Sequence, residues 1–450
     1  MENSKDILAY LNFETPTIEQ TIALKAMAGF VEETNTDDFF ILCGAAGTGK
    51  SSITSALIAF LNKKNFEYQI AAPTARAARI LGRKAQCLSN TIHSLIYNCE
   101  PNKETGVVKC IPKVNNVIER TIYIIDEASM ISTIISTDDN NLFISKKALN
   151  EDLANYIKSG NKSNKVILLG DRNQLAPVNE TESKMLRPEF LKETFGWNGT
   201  AYFLTEVKRQ DKESDIMSNA IKTRLAIENE VQSASMSFFK FSNIDAVIGK
   251  YAYEFLNNGS EHCISIGPSH KSNVFFNEMV RRRIFNAAPN KIVKGDWMLI
   301  TQKWSRNGVQ LYSGDHVTVL NIDYSKPEKV AEFTFVPIKI QAKAIDGSEL
   351  IIDDYLMIDS LLFPSGNMGM DKEKSLRAAR FKESRHYRES DNPMDDKYVG
   401  ALRMTFGYSI TCNKAQGGEW SKVFLSTIKI PSLKYQYTAI TRAMENVFLY

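Results

Sequence analysis

The segment Gly44-Ala45-Ala46-Gly47-Thr48-Gly49-Lys50-Ser51 constrains this chain more than any other, because it suits one local geometry and one kind of ligand. It reads as Gly, four residues, then Gly-Lys-Ser; it follows the apolar run Phe39–Cys43 and opens the amphipathic run Ser51–Leu61. Strand, glycine-rich loop and helix in that order let backbone N–H groups close around a phosphate at a helix N-terminus that carries partial positive charge. Residues Gly44 to Ser52 are therefore the expected phosphate cradle, with Lys50 reaching the β- and γ-phosphates of ATP and Ser51 ligating Mg2+. Such a unit needs a sheet to hold the strand and a face on which the helix packs, which predicts an α/β fold.

Further runs fit that frame. Apolar segments Tyr68–Ala72, Ile122–Ile125 and Val166–Leu169 alternate with amphipathic ones such as Ile18–Val31, as in a largely parallel sheet. The run Ile122–Met130 delivers Asp126 and Glu127 together at a strand's carboxyl end, where ligands of open α/β sheets bind. Asp126 suits the Mg2+ shell and Glu127 suits activation of the attacking water. Val166–Val178 ends another strand in a polar loop, whose Gln174 is placed to sense a γ-phosphate or to orient water. Pro73, Thr74 and Arg76, then Thr91 and His93, follow apolar segments and are candidate contacts to nucleic-acid phosphates. The alternation resumes near Ala246, with strand Cys263–Ile266, helix His270–Ile284, strands Leu402–Phe406 and Val423–Ser426, helix Tyr435–Arg442 and strand Asn446–Tyr450. Between residues 296 and 360, β-rich pieces separated by Gly, Asp, Asn and Pro predict a small antiparallel barrel, and 371–389 reads as a basic amphipathic helix. Acidic residues interleave that helix, so its basic side chains suit a solvated face as well as a DNA contact.

Composition narrows the class. Fifty-five Lys and Arg against 52 Asp and Glu leave a net charge of +3, which suits a motor gripping a few phosphates and does not require one. Six cysteines without a C-x-x-C pair and five dispersed histidines support neither a zinc site nor a disulfide framework, and fit a reducing cytoplasm. No apolar run spans a membrane, and the first residues lack the pattern of a signal peptide. The phosphate loop and acidic pair alone are shared by kinases, switches, transporters and motors.

The order of the motifs resembles the superfamily 1 helicases of the RecD and phage Dda type over nearly the full length. Thr17–Gln20 resembles the adenine-reading Q motif, and Gly44–Ser51, Ala71–Leu81, Thr91–Leu95, Asp126–Glu127 and Gly170–Val178 resemble the next five. Leu204–Arg209 resembles the motif whose arginine contacts the γ-phosphate, and Pro268–Lys271, with Ser269 and His270, a strand contact of the second motor domain. Tyr408–Gly417 resembles the S-x-H-K-x-Q-G motif, with Asn413 at the usual His position beside Lys414 and Gln416. Gly417 and Glu419 would lie at the nucleotide, Glu419 on its ribose. Tyr437–Ala443 resembles the last motif, whose Arg442 reaches the nucleotide. Arginines of this kind are worth roughly 10³–10⁵ in rate in other phosphoryl-transfer enzymes. Gln174-Leu175-Ala176-Pro177-Val178 resembles the branch that moves 5′ to 3′.

The resemblance implies two RecA-like motor domains, 1–95 with 121–205 and 206–300 with 401–450. A strand-separating hairpin at 96–120, with its turn at Lys103–Gly106, interrupts the first, and an SH3-like barrel with a helical element at 301–400 interrupts the second. It further implies an ATP- and Mg2+-dependent monomer acting on single-stranded and forked duplex DNA in a bacterial or phage-infected cytoplasm, with a part in replication, recombination or repair. An RNA helicase or protein-displacing translocase is the nearest alternative. A non-motor P-loop NTPase is the alternative of another class, and the arginine motif near the C-terminus weighs against it.

Overall fold

The computed structural model describes residues 7–13, 15–104, 107–135, 143–206, 214–344, 348–390 and 392–450. The chain divides into two compact units, Met1–Asn98 with Ile111–Ile135 and Ser145–Gln232, and Cys99–Cys110 with Ser136–Ile144 and Ser233–Tyr450.

The first unit is built on a six-stranded sheet in the order Asn90–Thr91, Glu67–Ala72, Thr121–Ile125, Lys165–Gly170, Phe39–Gly44, Gly199–Leu204. All its pairings are parallel. The central strands are buried at every position, as expected where helices cover both faces of a sheet. Lys165 lies among them: its ammonium donates to Asn35 Oδ1 at 2.7 Å and to the Asp37 carbonyl at 2.6 Å, and sits 4.4 Å from the centre of the Phe30 ring. Register aligns Cys43 with Gly170 and Ile125 with Leu168, so the phosphate loop, Asp126 and Asp171 all leave the same edge of the sheet. The unit runs to Gln232 rather than ending at 205. Helix Asp215–Glu228 stays with it, and Asn173 donates to Glu228 there at 3.4 Å.

The second unit holds a five-stranded parallel sheet in the order Phe239–Lys240, Ala443–Leu449, Trp420–Leu425, Cys263–Gly267, Ser409–Thr411. Helices Ile244–Asn258, His270–Phe285 and Leu433–Ile440 accompany it. Inserted between Cys263–Gly267 and Ser409–Thr411 is an antiparallel sheet of strands Trp297–Ile300, His316–Ile322, Glu328–Val330, Phe333–Lys343, Glu349–Met357 and Met404–Phe406. It closes on itself where Leu402 donates to the Tyr355 carbonyl at 2.8 Å and accepts from the Met357 N–H at 3.1 Å. The barrel is thus wider in sequence than 301–400. Met404–Phe406, expected in the motor sheet, pairs with Trp297–Ile300 instead, with Met298 opposite Phe406.

Barrel and motor sheet share one core containing Tyr251, Phe276, Trp297, Phe406 and Tyr408. A buried ion pair spans the junction, Arg281 to Asp296 at 2.7 Å with both side chains fully enclosed. Tyr408 donates to the same Asp296 carboxylate at 3.0 Å, so no charge there is left unpaired.

The expected helix 371–389 breaks at Ser384 into Met370–Glu383 and Arg385–Glu389, because Ser384 caps the second piece by accepting from the Tyr387 N–H at 3.1 Å. Its cations are not all a solvated face. Arg377 and Arg403 flank the buried Glu373, and Arg380 pairs with Asp396 at 3.0 Å. The expected hairpin is present as strands Tyr97–Pro101 and Val108–Pro112, neighbours in a small sheet completed by Phe143–Ile144. Of its expected turn, residues 105 and 106 lie outside the described residues. Among the described residues, no helix is long and apolar enough to cross a membrane.

Candidate nucleotide site and nucleic-acid surface

The phosphate loop turns tightly because Gly47 and Gly49 adopt φ of 80° and 85°, where a Cβ is strained. The buried Thr48 hydroxyl donates to the Ala45 carbonyl at 2.8 Å. The Lys50 ammonium donates to that carbonyl at 3.0 Å and to the Gly44 carbonyl. It is thus folded over its own loop, and a phosphate oxygen, a stronger acceptor than either carbonyl, would draw it away. Ala46 and Ser52 are half-buried, while Ser51 is exposed in the first turn of helix Lys50–Lys63.

The acidic pair lies at the same sheet edge. The Asp126 N–H bonds to the Ala71 carbonyl at 2.9 Å, and Asp126 Oδ1 accepts from the Glu127 N–H at 2.9 Å. Glu127 has φ of 49°, which turns the chain sharply between the two carboxylates. Gln174 is buried, and its Oε1 has no hydrogen-bond partner among the described residues. An enclosed acceptor without a donor suits a site that a water or hydroxyl will complete. Ser51 and Asp126 together offer the few hard oxygen ligands that magnesium needs beside phosphate oxygens and water. The described residues hold no cluster of three or more His, Cys, Asp or Glu that would suit a softer metal. Burial pushes the Cys43 thiol up to about 11, so it stays protonated behind the loop.

Gln20, the expected adenine reader, lies in the first turn of helix Ile18–Phe30. It is buried; its Oε1 accepts from the Thr17 N–H at 2.9 Å and its Nε2 donates to the Thr48 carbonyl at 2.8 Å. A Cβ at Gly49 would lie 2.6 Å from this Nε2, so the glycine also permits the approach. Gln20 is therefore hydrogen-bonded to the loop at Thr48.

The first unit's other candidates lie at the ends of its outer strands. Thr74 caps helix Ala75–Ala85, accepting from the Ala77 N–H at 3.2 Å, with half-buried Pro73 and Arg76 beside it. Thr91 caps the short helix Ile92–Ile96, accepting from the Ser94 N–H at 3.1 Å, and leaves His93 exposed. Both threonines keep a hydroxyl at a helix start, as capping requires.

In the second unit, Ser269 caps helix His270–Phe285, accepting from the Ser272 N–H at 3.2 Å. A cleft lined by His270, Asn273, Leu299, Pro364, Thr405, Phe406 and Lys414 joins motor and barrel residues. Burial lowers the basicity of both His270 and Lys414, and the Lys414 charge lowers His270 further, so an anion seated there would relieve both. Asn413 is exposed beside them, Gln416 is buried, and Gly417 takes φ of 73°. Glu419 is exposed. Arg442 is buried, its guanidinium spread over the Thr438 carbonyl at 3.0 Å, the Gly418 carbonyl at 3.3 Å and the Thr441 hydroxyl at 3.1 Å. The motif that carries Arg442 is thereby linked to the turn before Glu419. Arg209 lies outside the described residues.

A contact not anticipated from the sequence involves the hairpin. The hydroxyl of fully buried Tyr387 donates to the Lys103 carbonyl at 2.6 Å, and the Lys103 ammonium donates to the Arg388 carbonyl at 3.0 Å. Helix Arg385–Glu389 and the hairpin are therefore coupled; a lone Tyr in a basic helix carries no sequence signal for this.

A phosphate loop with an acidic strand end on one parallel sheet, followed by a second parallel sheet interrupted by a barrel, is the two-sheet arrangement that the motif order led one to expect. Comparison with known proteins agrees. The family described as AAA domain matches residues 19–138, and the UvrD-like helicase C-terminal domain matches residues 406–450. The RecBCD enzyme subunit RecD of Buchnera aphidicola subsp. Schizaphis graminum is 29% identical over 167 residues, covering 32% of this chain and 23% of that protein. Its counterpart from Buchnera aphidicola subsp. Acyrthosiphon pisum is 25% identical, covering 89% of this chain and 68% of that protein. Among solved structures, a Pif1 helicase described in DNA unwinding at forked duplex DNA has a TM-score of 0.51 at 14% identity, covering 97% of this chain and 92% of its own. A Bacteroides Pif1 helicase with ADP-AlF3 and single-stranded DNA has a TM-score of 0.50 at 13% identity, with the same coverage; both show likeness of fold. In its matched segments and its fold the chain is similar to superfamily 1B helicases of the RecD type.

Proposed function

We propose that this chain is an ATP-driven DNA helicase that moves 5′ to 3′ along single-stranded DNA and opens duplexes ahead of it. The observation that carries this reading is the convergence of Lys50, Asp126, Glu127 and the unsatisfied Gln174 acceptor at one sheet edge, in a chain that also holds a second parallel sheet with the Arg442 motif. In this reading Lys50 and the Gly44–Ser52 backbone hold the phosphates of ATP, Ser51 and Asp126 hold Mg2+, and Glu127 with Gln174 orients the attacking water. Arg209 and Arg442 stabilise the charge that develops on the transferred phosphoryl group. Thr74, Thr91, His270 and Lys414 grip the strand through its phosphates, which gives sequence-independent and salt-sensitive binding. The hairpin splits the duplex, each base-pair step being worth roughly 1.4 kcal/mol. The substrate is single-stranded and forked DNA, the protein acts as a monomer, and its compartment is the cytoplasm. Kinship with RecD supports the DNA substrate, and the Gln174–Val178 signature together with the barrel supports the direction.

Duplexes with one single-stranded tail test the reading. A 5′ tail should support ATP-dependent unwinding and a 3′ tail should not. Preference for the 3′ tail overturns the direction. Unwinding of matched RNA with DNA left intact overturns the substrate, and hydrolysis indifferent to either nucleic acid overturns the motor.

A further inference from the structure

The first turn of helix Ile18–Phe30 holds the chain on either side of the phosphate loop. At the loop's far end Gln20 donates to the Thr48 carbonyl at 2.8 Å. Its neighbour Glu19 accepts from the Thr205 N–H at 2.6 Å, the Thr205 hydroxyl at 2.5 Å and the Glu206 N–H at 2.9 Å. Thr205 directly follows strand Gly199–Leu204, whose last residue pairs with Gly44 and accepts from the Ala45 N–H at 3.4 Å. Glu19 thus pins the edge on which the loop begins, and Gln20 pins the point where it ends.

Between those two points lie the backbone N–H groups of the phosphate cradle. Such a nest binds an anion better the less it must rearrange, so whatever sets the spacing of its ends acts on affinity. The Glu19 anchor is well built for this. Three donors converge on one carboxylate, at a helix N-terminus that favours negative charge. Burial raises that carboxyl, but the bonds from Glu206 and Thr205 outweigh it and hold it below its ordinary value, so it is ionised at neutral pH.

We infer that Glu19 is a positioning residue for the nucleotide, holding with Gln20 the two ends of the phosphate loop at the spacing a bound phosphate needs. The inference rests on reading that loop as the nucleotide site.

The test is direct binding of a fluorescent ADP analogue, together with KM and kcat for DNA-stimulated ATP hydrolysis, in the full chain carrying Glu19→Ala, Glu19→Gln or Thr205→Val. Glu19→Ala should weaken ADP binding and raise KM for ATP by about fivefold, the scale of a lost hydrogen-bonded anchor, with kcat within about twofold of wild type. Glu19→Gln, whose carboxamide oxygen still accepts, should recover part of the loss. Thr205→Val should cost about twofold alone and add nothing to Glu19→Ala, because both act through one anchor. Wild-type ADP affinity in folded Glu19→Ala, or in Thr205→Val if the first variant does not fold, overturns the inference. A fall in kcat with KM unchanged also overturns it. ADP binding needs no DNA, so a wild-type chain that binds ADP yet ignores DNA refutes the motor while the affinities still decide the role of Glu19.

Discussion

Removing the Tyr387 hydroxyl should uncouple hydrolysis from strand separation. That hydroxyl is the donor to the Lys103 carbonyl at 2.6 Å and the acceptor from Arg377 Nη1 at 3.3 Å. Phenylalanine keeps the ring in its buried site and deletes both bonds. Arg377 keeps its ion pair with Glu373 at 3.6 Å, and the Lys103 carbonyl lies beside exposed Asn102 and Glu104, where water can replace the lost donor. The cost is then that of one ordinary hydrogen bond, about 1 kcal/mol, which lowers the docked population of the hairpin about fivefold relative to the undocked. If the hairpin must be docked to split a base pair, Tyr387→Phe should slow unwinding of a 5′-tailed duplex by a factor of this order. DNA-stimulated ATP hydrolysis should stay within about twofold, because the phosphate loop and acidic pair are untouched. Stopped-flow unwinding and ATPase measured on one preparation give both numbers. Equal losses in the two rates, or unwinding at the wild-type rate, would refute the reasoning.

Lys50→Ala and Glu127→Gln should each lower ATP turnover by about 10² or more while leaving the melting temperature near wild type; near-normal turnover in either purified variant removes that residue from the chemistry. Arg442→Ala should lower ATP turnover far more than affinity for single-stranded DNA, and the opposite pattern in a binding titration would place the side chain on the strand. The last expectation concerns acid stability. Burial raises the Glu254 carboxyl, and hydrogen bonds from Lys250 and Lys422 outweigh it and bring it down to about 2 from the ordinary 4.5. A folded value below the unfolded one stabilises the protein above the ordinary value and is lost as pH falls through the folded one. Urea midpoints should therefore drop between about pH 5 and pH 2, and Glu254→Gln should flatten that drop.

The central strands of the first parallel sheet and the phosphate loop were legible in the sequence, because fully buried parallel strands are apolar throughout and end in glycine or acidic residues at the edge that binds. Phe39–Gly44 and Thr121–Ile125 are such strands. Met404–Phe406 was not legible as a barrel strand. Three residues, Met404-Thr405-Phe406, are too few to tell one sheet from the other, and the partner Trp297–Ile300 is far away in sequence. The break at Ser384 was hidden because a serine with a cation-rich helix on either side keeps the helical period while its hydroxyl caps the next turn. In the candidate site, side-chain identities were readable but their present partners were not. Nothing in Thr17–Gln20 says that both ends of the Gln20 carboxamide are engaged by Thr17 and Thr48. Nothing in the last motif says that Arg442 rests on three acceptors of its own unit. Such choices depend on tertiary neighbours rather than on local spacing.

The seam at Leu402 bears on the order in which the second unit can assemble. Its motor sheet needs Ser265 beside Ser409, a separation of 144 residues, which makes that pairing a slow encounter for an unstructured chain. The barrel brings Met298 against Phe406, a few residues short of the same meeting point. Once it has closed, the loop left to form is roughly a quarter as long, easing closure by about 1 kcal/mol. The insertion is therefore a splint for its host: a barrel that forms early delivers both ends of the interrupted sheet to one place. A chain whose Leu402 seam is weakened should reach its native state more slowly, even where the finished motor loses little stability.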